Sequence, residues 1–348
     1  MVCFWYPAAR SDSTAAAAYL PGAPQFDRNP EAQARMRRIF GDNWPASSGA
    51  LHGHAVDQAA VARGAKPFPL VIFSHGAGST GFNYTALIED VVSHGYVVAA
   101  IEHTVAAKAV WFPDGRVVQV SDDTPPAGLS AEERSKWRRA RITEGIDEGA
   151  ADVRFVFDQV IALNHDPEHF LPAGRVDTTR AAPMGHSAGA EFSARACQID
   201  SRFRACVDLD GGMVPVAALP LAADGATMKP PLLFLEACHP ESTMGGLQHD
   251  AIVKYYEKRE QQLSECPRGT YAVVLQSPGI AHPNFSDISL LFAGQQDYPA
   301  PSVALHNLDL LRSFVRDFLA LSLKGQKAPL LERGRSRLPE ATVQPFGR

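Results

Sequence analysis

In Gly185-His186-Ser187-Ala188-Gly189 a serine has glycine two residues away on either side, the spacing of a strand that turns sharply into a helix. Such a turn crowds the backbone at the serine, so the flanking positions must lack bulk and the hydroxyl stands exposed above the sheet. A hydroxyl becomes a useful nucleophile only if a base takes its proton, and the base needs an acid to fix its tautomer. His282 is the base candidate, and Asp210, followed by Gly211-Gly212 that let the chain turn, is the acid candidate. Ser187 would attack an ester carbonyl, His282 would return the proton to the leaving alcohol, and Asp210 would stabilise the imidazolium. Glu236 is an alternative acid; Asp208, deeper on the same face of its strand, reads as structural.

The tetrahedral intermediate needs two donors aimed at its oxyanion. The backbone amide of Ala188, after the nucleophile, is one candidate, and that of Ala77, in the loop His75-Gly76-Ala77-Gly78, is the other. That glycine-rich loop has neither the lysine nor the spacing of a phosphate cradle. His75 and His103 fall at strand ends, where they would hold loops; His186 would pack beside the sheet, and His239 lacks the setting of His282. His52-Gly53-His54 is not backed by a set of carboxylate or cysteine partners, and no Cys-x-x-Cys pair occurs among the five cysteines, so no metal or cofactor is assigned.

These residues need elements to hold them. Leu70–Ser74 and Tyr96–Ile101 are short apolar runs of the type buried on both faces, joined by a helix from Phe82 to Ser93 that Gly95 closes. Val110–Val120 reads as a hairpin around Asp114-Gly115, and Ser130–Leu163 as a long amphipathic helix. Thr178–Met184 is a weak strand because Pro183 lacks a donor; Ala188–Cys197 is a helix. Strands follow at Arg204–Asp210, Pro231–Ala237 and, as the last, Tyr271–Gln276, with helices near His249–Leu263 and Val303–Leu323. Ser187, Asp210, Glu236 and His282 then all fall beyond carboxyl ends of strands, where open parallel sheets collect their active groups. With the order serine, acid, histidine, this predicts an α/β-hydrolase fold, a mostly parallel sheet with helices on both faces.

Its 348 residues are read as one domain, with 1–66 as a first strand and covering segment, including a basic helix near Glu31–Phe40, and 104–165 as an inserted hairpin and helix. At 45% hydrophobic and 20% charged residues the chain is globular, and no apolar run is long enough for a membrane span. A net charge of -5 without a basic stripe speaks against nucleic acid. No secretory signal precedes the first strand, so a cytoplasmic location is expected as the chain stands, and secretion if the true start lies upstream.

The motifs resemble, in order, those of the plasma and type II platelet-activating factor acetylhydrolases. Phe4-Trp-Tyr-Pro7, Phe73-Ser-His-Gly76, Ser93–His103, Gly185–Gly189, Leu209-Asp-Gly-Gly-Met-Val-Pro215 and His282-Pro-Asn-Phe-Ser-Asp287 carry the resemblance. It implies calcium-independent cleavage of short or oxidised sn-2 acyl groups from phospholipids, with a small ester or phospholipid as partner and contact with a lipid surface. Where the family has a bulky residue, a glycine and a tryptophan, this chain has Ala188, Ala190 and Gly212, and the bulk lost at Ala188 and Gly212 implies a wider acyl pocket. Trp111, Phe112, Gly212 and Phe285 are candidate pocket residues. The rival readings are a polyester or dienelactone hydrolase and a binding protein on a degenerate hydrolase fold. The oligomeric state is not legible.

Overall fold

The structure is a computed structural model that describes residues 1–9, 16–19, 34, 37, 51–62, 66–107, 109–112, 117–119, 124–166, 174–211, 227–238, 249–295, 298–332 and 338–347. Its strands are β1 (Val2–Trp5), β2 (Phe68–Ser74), β3 (Val97–Ile101), β4 (Ala109–Trp111), β5 (Val117–Gln119), β6 (Val176–His186), β7 (Cys206–Leu209), β8 (Leu232–Ala237), β9 (Thr270–Leu275) and β10 (Ala341–Phe346). The main helices are α1 (Thr85–Ser93), α2 (Ala131–Leu163), α3 (Ala188–Ile199), α4 (His249–Ser264) and α5 (Pro301–Lys324).

Eight strands form one sheet in the order β1-β3-β2-β6-β7-β8-β9-β10. The six from β3 to β9 in that order run parallel, and an antiparallel strand closes each edge. Leu70, Val71, Ile72 and Phe73 are all 0% exposed, which consecutive strand residues can be only when both faces are covered. Val71 and Phe73 pack with Leu87, Ile88 and Val91 of α1 and with Phe314 and Phe318 of α5. Leu70 and Ile72 pack on the other face with Val153 and Phe157 of α2 and Ala194 and Cys197 of α3. The continuous apolar runs are therefore two cores interleaved at period two.

Helix α2 begins one residue after Ser130, the expected start. Ser130 Oγ accepts the Glu133 N–H at 3.2 Å and Glu133 Oε2 accepts the Ser130 N–H at 2.8 Å, a reciprocal cap. The expected hairpin is present as β4 and β5, paired from Ala109↔Gln119 to Trp111↔Val117. The expected helix of Phe82–Ser93 divides into a 3₁₀ turn, Gly81–Tyr84, and α1. The basic helix expected over Glu31–Phe40 lies almost wholly outside the described residues.

Two expectations need correction. Tyr271–Gln276 is not the last strand, because Ala341–Phe346 pairs along it from Ala341↔Leu275 to Phe346↔Thr270. That segment, Ala-Thr-Val-Gln-Pro-Phe, carries polar residues and a proline, which only an edge with one open side accepts. The strand before the elbow also runs longer than Thr178–Met184. Its pairing jumps from Pro69↔Asp177 to Leu70↔Ala181, so residues 178–180 bulge, held by Asp177 accepting from Thr179 N–H at 3.0 Å and Arg180 Nε at 2.6 Å. Pro183 is tolerated because pairing to β7 starts one residue later, at Met184↔Val207.

On the α2 side, Gly149 lets α3 approach: a Cβ there would lie 2.3 Å from Cγ of Phe192. Gly149→Ala gains about 1 kcal/mol of helix propensity but overpacks a core contact, which costs about 1–3 kcal/mol. The variant is expected to unfold at lower urea concentration than the native chain, and an unchanged or raised midpoint in equilibrium unfolding would contradict the close packing of α2 on α3.

Candidate active site

Ser187 sits between the end of β6 and the start of α3 with φ +56° and ψ −123°, a conformation a non-glycine residue adopts only under strain of about 1–3 kcal/mol. The surrounding backbone imposes it. A Cβ on Gly185 would lie 2.1 Å from the Gly189 carbonyl oxygen, and one on Gly189 would lie 2.1 Å from that of Ser74. Either would collide with backbone, so both glycines of the pentapeptide are required by contact. The Ser187 N–H is held by the Leu209 carbonyl at 3.0 Å.

The residues expected to act with Ser187 meet it. His282 Nε2 lies 3.0 Å from Ser187 Oγ, and His282 Nδ1 lies 2.6 Å from Asp210 Oδ2. Asp210 is 1% exposed, and its second oxygen, Oδ1, accepts the Ala237 N–H at 2.9 Å. A buried carboxylate with both oxygens bonded can face one nitrogen of the imidazole while the other faces the serine. Asp210 has φ +54°, which turns the chain just past β7. This arrangement can move a proton from Ser187 to His282 while Asp210 fixes the ring.

The alternatives are occupied elsewhere. Both oxygens of Glu236 accept from Arg259 Nη1 at 2.6 Å. Asp208, 4% exposed, accepts the Gly211 N–H at 2.9 Å and so shapes the turn behind Asp210. Burial pushes its carboxyl up to about 8. His186 is buried, meets the Tyr84 hydroxyl at 2.8 Å and stacks on Phe285 at an interplanar angle of 3°. Burial, with His282 adjacent, pushes His186 down to about 3, so it stays neutral beside an imidazole that must become charged. Phe285, expected at the substrate pocket, is 1% exposed and belongs to the core, supporting His186 from behind. Gly212, His239 and the side chain of Trp111 lie outside the described residues; Phe112 is half-buried after β4.

A second serine, histidine and aspartate are strung together in the same way. His103 Nδ1 lies 2.9 Å from Asp152 Oδ2 and its Nε2 lies 2.9 Å from Ser74 Oγ. Ser74 is 0% exposed, so its hydroxyl meets no substrate and the string is scaffold, as expected of a loop-holding His103. Asp152, on α2, is far in sequence from both partners and carried no signal. Likewise His54 finds Glu89 Oε2 at 3.1 Å, 35 positions away in the chain. Among the described residues the grouping of metal-ligand types within 4.8 Å is His186, Asp210 and His282, and the Asp210–His282 bond already uses two of its atoms.

For the oxyanion donors, Ala188 opens α3, where the first N–H groups have no partner within the helix. Ala77 is exposed in the loop after β2, next to Gly76, where a Cβ would lie 3.2 Å from that of Ser187.

The family model for platelet-activating factor acetylhydrolase, isoform II, matches residues 1–295. The chain belongs to this family. Platelet-activating factor acetylhydrolase of Cavia porcellus is 29% identical over 238 residues, 64% of this chain and 49% of the relative, so the chain spans about half of that protein's length. A probable 1-alkyl-2-acetylglycerophosphocholine esterase of Arthroderma benhamiae is 22% identical over 78% of this chain and 65% of the relative. Among solved structures, a ferulic acid esterase from Streptomyces cinnamoneus superposes with a TM-score of 0.70 at 27% identity, over 99% of this chain and 88% of that one. The mixed sheet and these matches agree with the α/β-hydrolase fold expected from the sequence. All six motifs that carried the family resemblance lie within the matched span.

Asp208 makes stability depend on pH in a direction that can be worked out. Unfolded, its carboxyl titrates near about 4; folded, near about 8, so the folded chain binds more protons between them and loses stability as pH rises across that window. Asp208→Asn keeps an acceptor for the Gly211 N–H and has no proton to lose. Its urea midpoint is expected to fall less between pH 5 and pH 8 than that of the native chain; equal declines would show that Asp208 does not hold its proton.

Proposed function

We propose that this chain is a carboxylic-ester hydrolase that works through an acyl-enzyme, with Ser187 as nucleophile, His282 as general base and acid, and Asp210 as its orienting carboxylate. The observation that carries the reading is the unbroken path Ser187–His282–Asp210, at 3.0 and 2.6 Å, on a strained elbow. Ser187 Oγ bonds to the ester carbonyl carbon as its proton moves to His282 Nε2. The carbonyl electron pair rests on an oxyanion facing the Ala77 and Ala188 amides. Collapse expels the alcohol, which takes the proton from His282; water, activated by the same imidazole, then releases the acid and frees Ser187.

The substrate class favoured by family membership is a glycerophospholipid with a short or oxidised sn-2 acyl group, which the names of the relatives support. The match to a ferulic acid esterase over nearly the whole chain favours, as the second reading, an ester without a phosphate head group. Turnover of a truncated phospholipid against a feruloyl ester separates the two.

A fluorophosphonate is expected to add its mass to the native chain and not to Ser187→Ala; an unlabelled native chain removes the enzyme reading. Asp210→Asn should retain the fold and lose about 10⁴-fold in kcat, the loss seen when an orienting acid becomes an amide. Among p-nitrophenyl esters, butyrate and octanoate should be turned over at rates comparable with acetate, because Ala188 and Gly212 stand where the family resemblance leads one to expect bulk. A steep preference for acetate would count against the wider pocket.

A further inference from the structure

Gly76 is the residue of the oxyanion loop that faces Ser187, and both of its peptide groups are held by side chains. Its N–H donates to the Tyr84 hydroxyl at 3.0 Å, and its carbonyl lies 2.8 Å from His75 Nδ1. The ring of His75 has only one way to satisfy these contacts. Its Nε2 accepts the His103 N–H at 3.1 Å, so the proton is on Nδ1 and is donated to Gly76. Burial pushes His75 down to about 3, which keeps it in this neutral form.

The described backbone has no cis peptide bonds, and in a trans peptide the C=O and the following N–H point in opposite directions. Holding the Gly76 carbonyl toward His75 therefore turns the Ala77 N–H away from that ring. The Tyr84 hydroxyl, which accepts from Gly76 and has the Ser79 hydroxyl as a second neighbour on its accepting side, has one hydrogen to give, and His186 Nδ1, on the residue just before Ser187, lies 2.8 Å away to take it.

We propose that Tyr84 is a positioning residue that ties the oxyanion loop to the nucleophile elbow, accepting the Gly76 N–H and donating to His186 Nδ1. The role rests on the ester-hydrolase reading given above. Tyr84 is 1% exposed, its ring lies 4.8 Å from that of Phe73 in β2, and burial pushes its hydroxyl up to about 12, so it stays a donor at neutral pH. The turn that carries it is anchored on two further sides. Asn83 Oδ1 accepts from Thr80 N–H at 3.2 Å and Ser79 Oγ at 3.1 Å, and the Asn83 carbonyl accepts the Asp287 N–H at 2.6 Å. One turn thus holds the oxyanion loop, the elbow and the loop of His282 at fixed spacing.

Tyr84→Phe removes only the hydroxyl, and two readouts test it. Exchange of the Gly76 amide hydrogen should speed by about tenfold or more, because that N–H loses its acceptor. For p-nitrophenyl acetate, kcat should fall by about ten- to hundredfold with KM within about twofold, since a misplaced oxyanion donor weakens the transition state and not the ground state. Unchanged Gly76 exchange overturns the proposal whatever the activity, and faster exchange with unchanged kcat overturns the positioning role. A native chain without esterase activity whose Gly76 amide still responds supports the tie and removes the ester-hydrolase reading. Should the variant not fold, the ¹⁵N shifts of His186 in the native chain decide: a proton on Nε2 is expected, and a proton on Nδ1 overturns the donation from Tyr84.

Discussion

The first turn of α3 lies so close to the end of β2 that no Cβ fits between Gly189 and the Ser74 carbonyl. This contact between a helix and the backbone of a neighbouring strand fixes where Ser187 stands. It forces the positive φ at the serine, directs the hydroxyl above the sheet and places the amide end of the helix beside the nucleophile. It also brings Gly76, two residues past Ser74, against Ser187. The distance from nucleophile to oxyanion loop is thus set by backbone packing, which deforms far less readily than side-chain contact.

Around that fixed point the polar groups are sorted by burial. Asp210 is buried yet bonded on both oxygens, so it is fixed in place to orient His282. Asp208, two residues earlier, has one backbone donor and three acidic neighbours, and burial there favours the proton. The same contrast divides the histidines. His75 and His186 are kept neutral by burial and serve as hydrogen-bonding struts, whereas His282 keeps part of its side chain, 31%, open to solvent and has the serine on one nitrogen and the acid on the other. Residue type alone does not make a catalytic group. Ser74, His103 and Asp152 repeat the connectivity of Ser187, His282 and Asp210, but a serine without exposed surface has nothing to attack.

Much of this was legible because the fold repeats simple local rules. The runs Leu70–Ser74 and Tyr96–Ile101 had to be strands buried on both faces, Ser130–Leu163 read as one long amphipathic helix, and the loops after strand ends had to collect the candidate site residues. The rule failed where a segment is held by one neighbour only. Ala341–Phe346 has no strong apolar pattern, and its identity as a strand comes from the open edge of β9. The bulge at residues 178–180 escaped because, although Asp177 holds it locally, the point where the strand resumes pairing, Leu70↔Ala181, is set by β2.

The sequence by itself picked out Ser187, His282 and Asp210 as residues to be brought together, with Glu236 as the alternative acid, because the pentapeptide and the order of these residues along alternating strands and helices leave few other places for them. It also determined that Asp210 and not Asp208 would face the site, since alternate strand residues differ in depth. What only the tertiary structure decided is how these groups are held: that Glu236 is taken by Arg259, that Phe285 is core, and that Tyr84, bonded to Gly76, meets His186 from 102 positions away in the chain. Hydrogen bonds of that kind depend on atoms brought within about 3 Å by packing, and no local pattern of residues records which distant partner will arrive there.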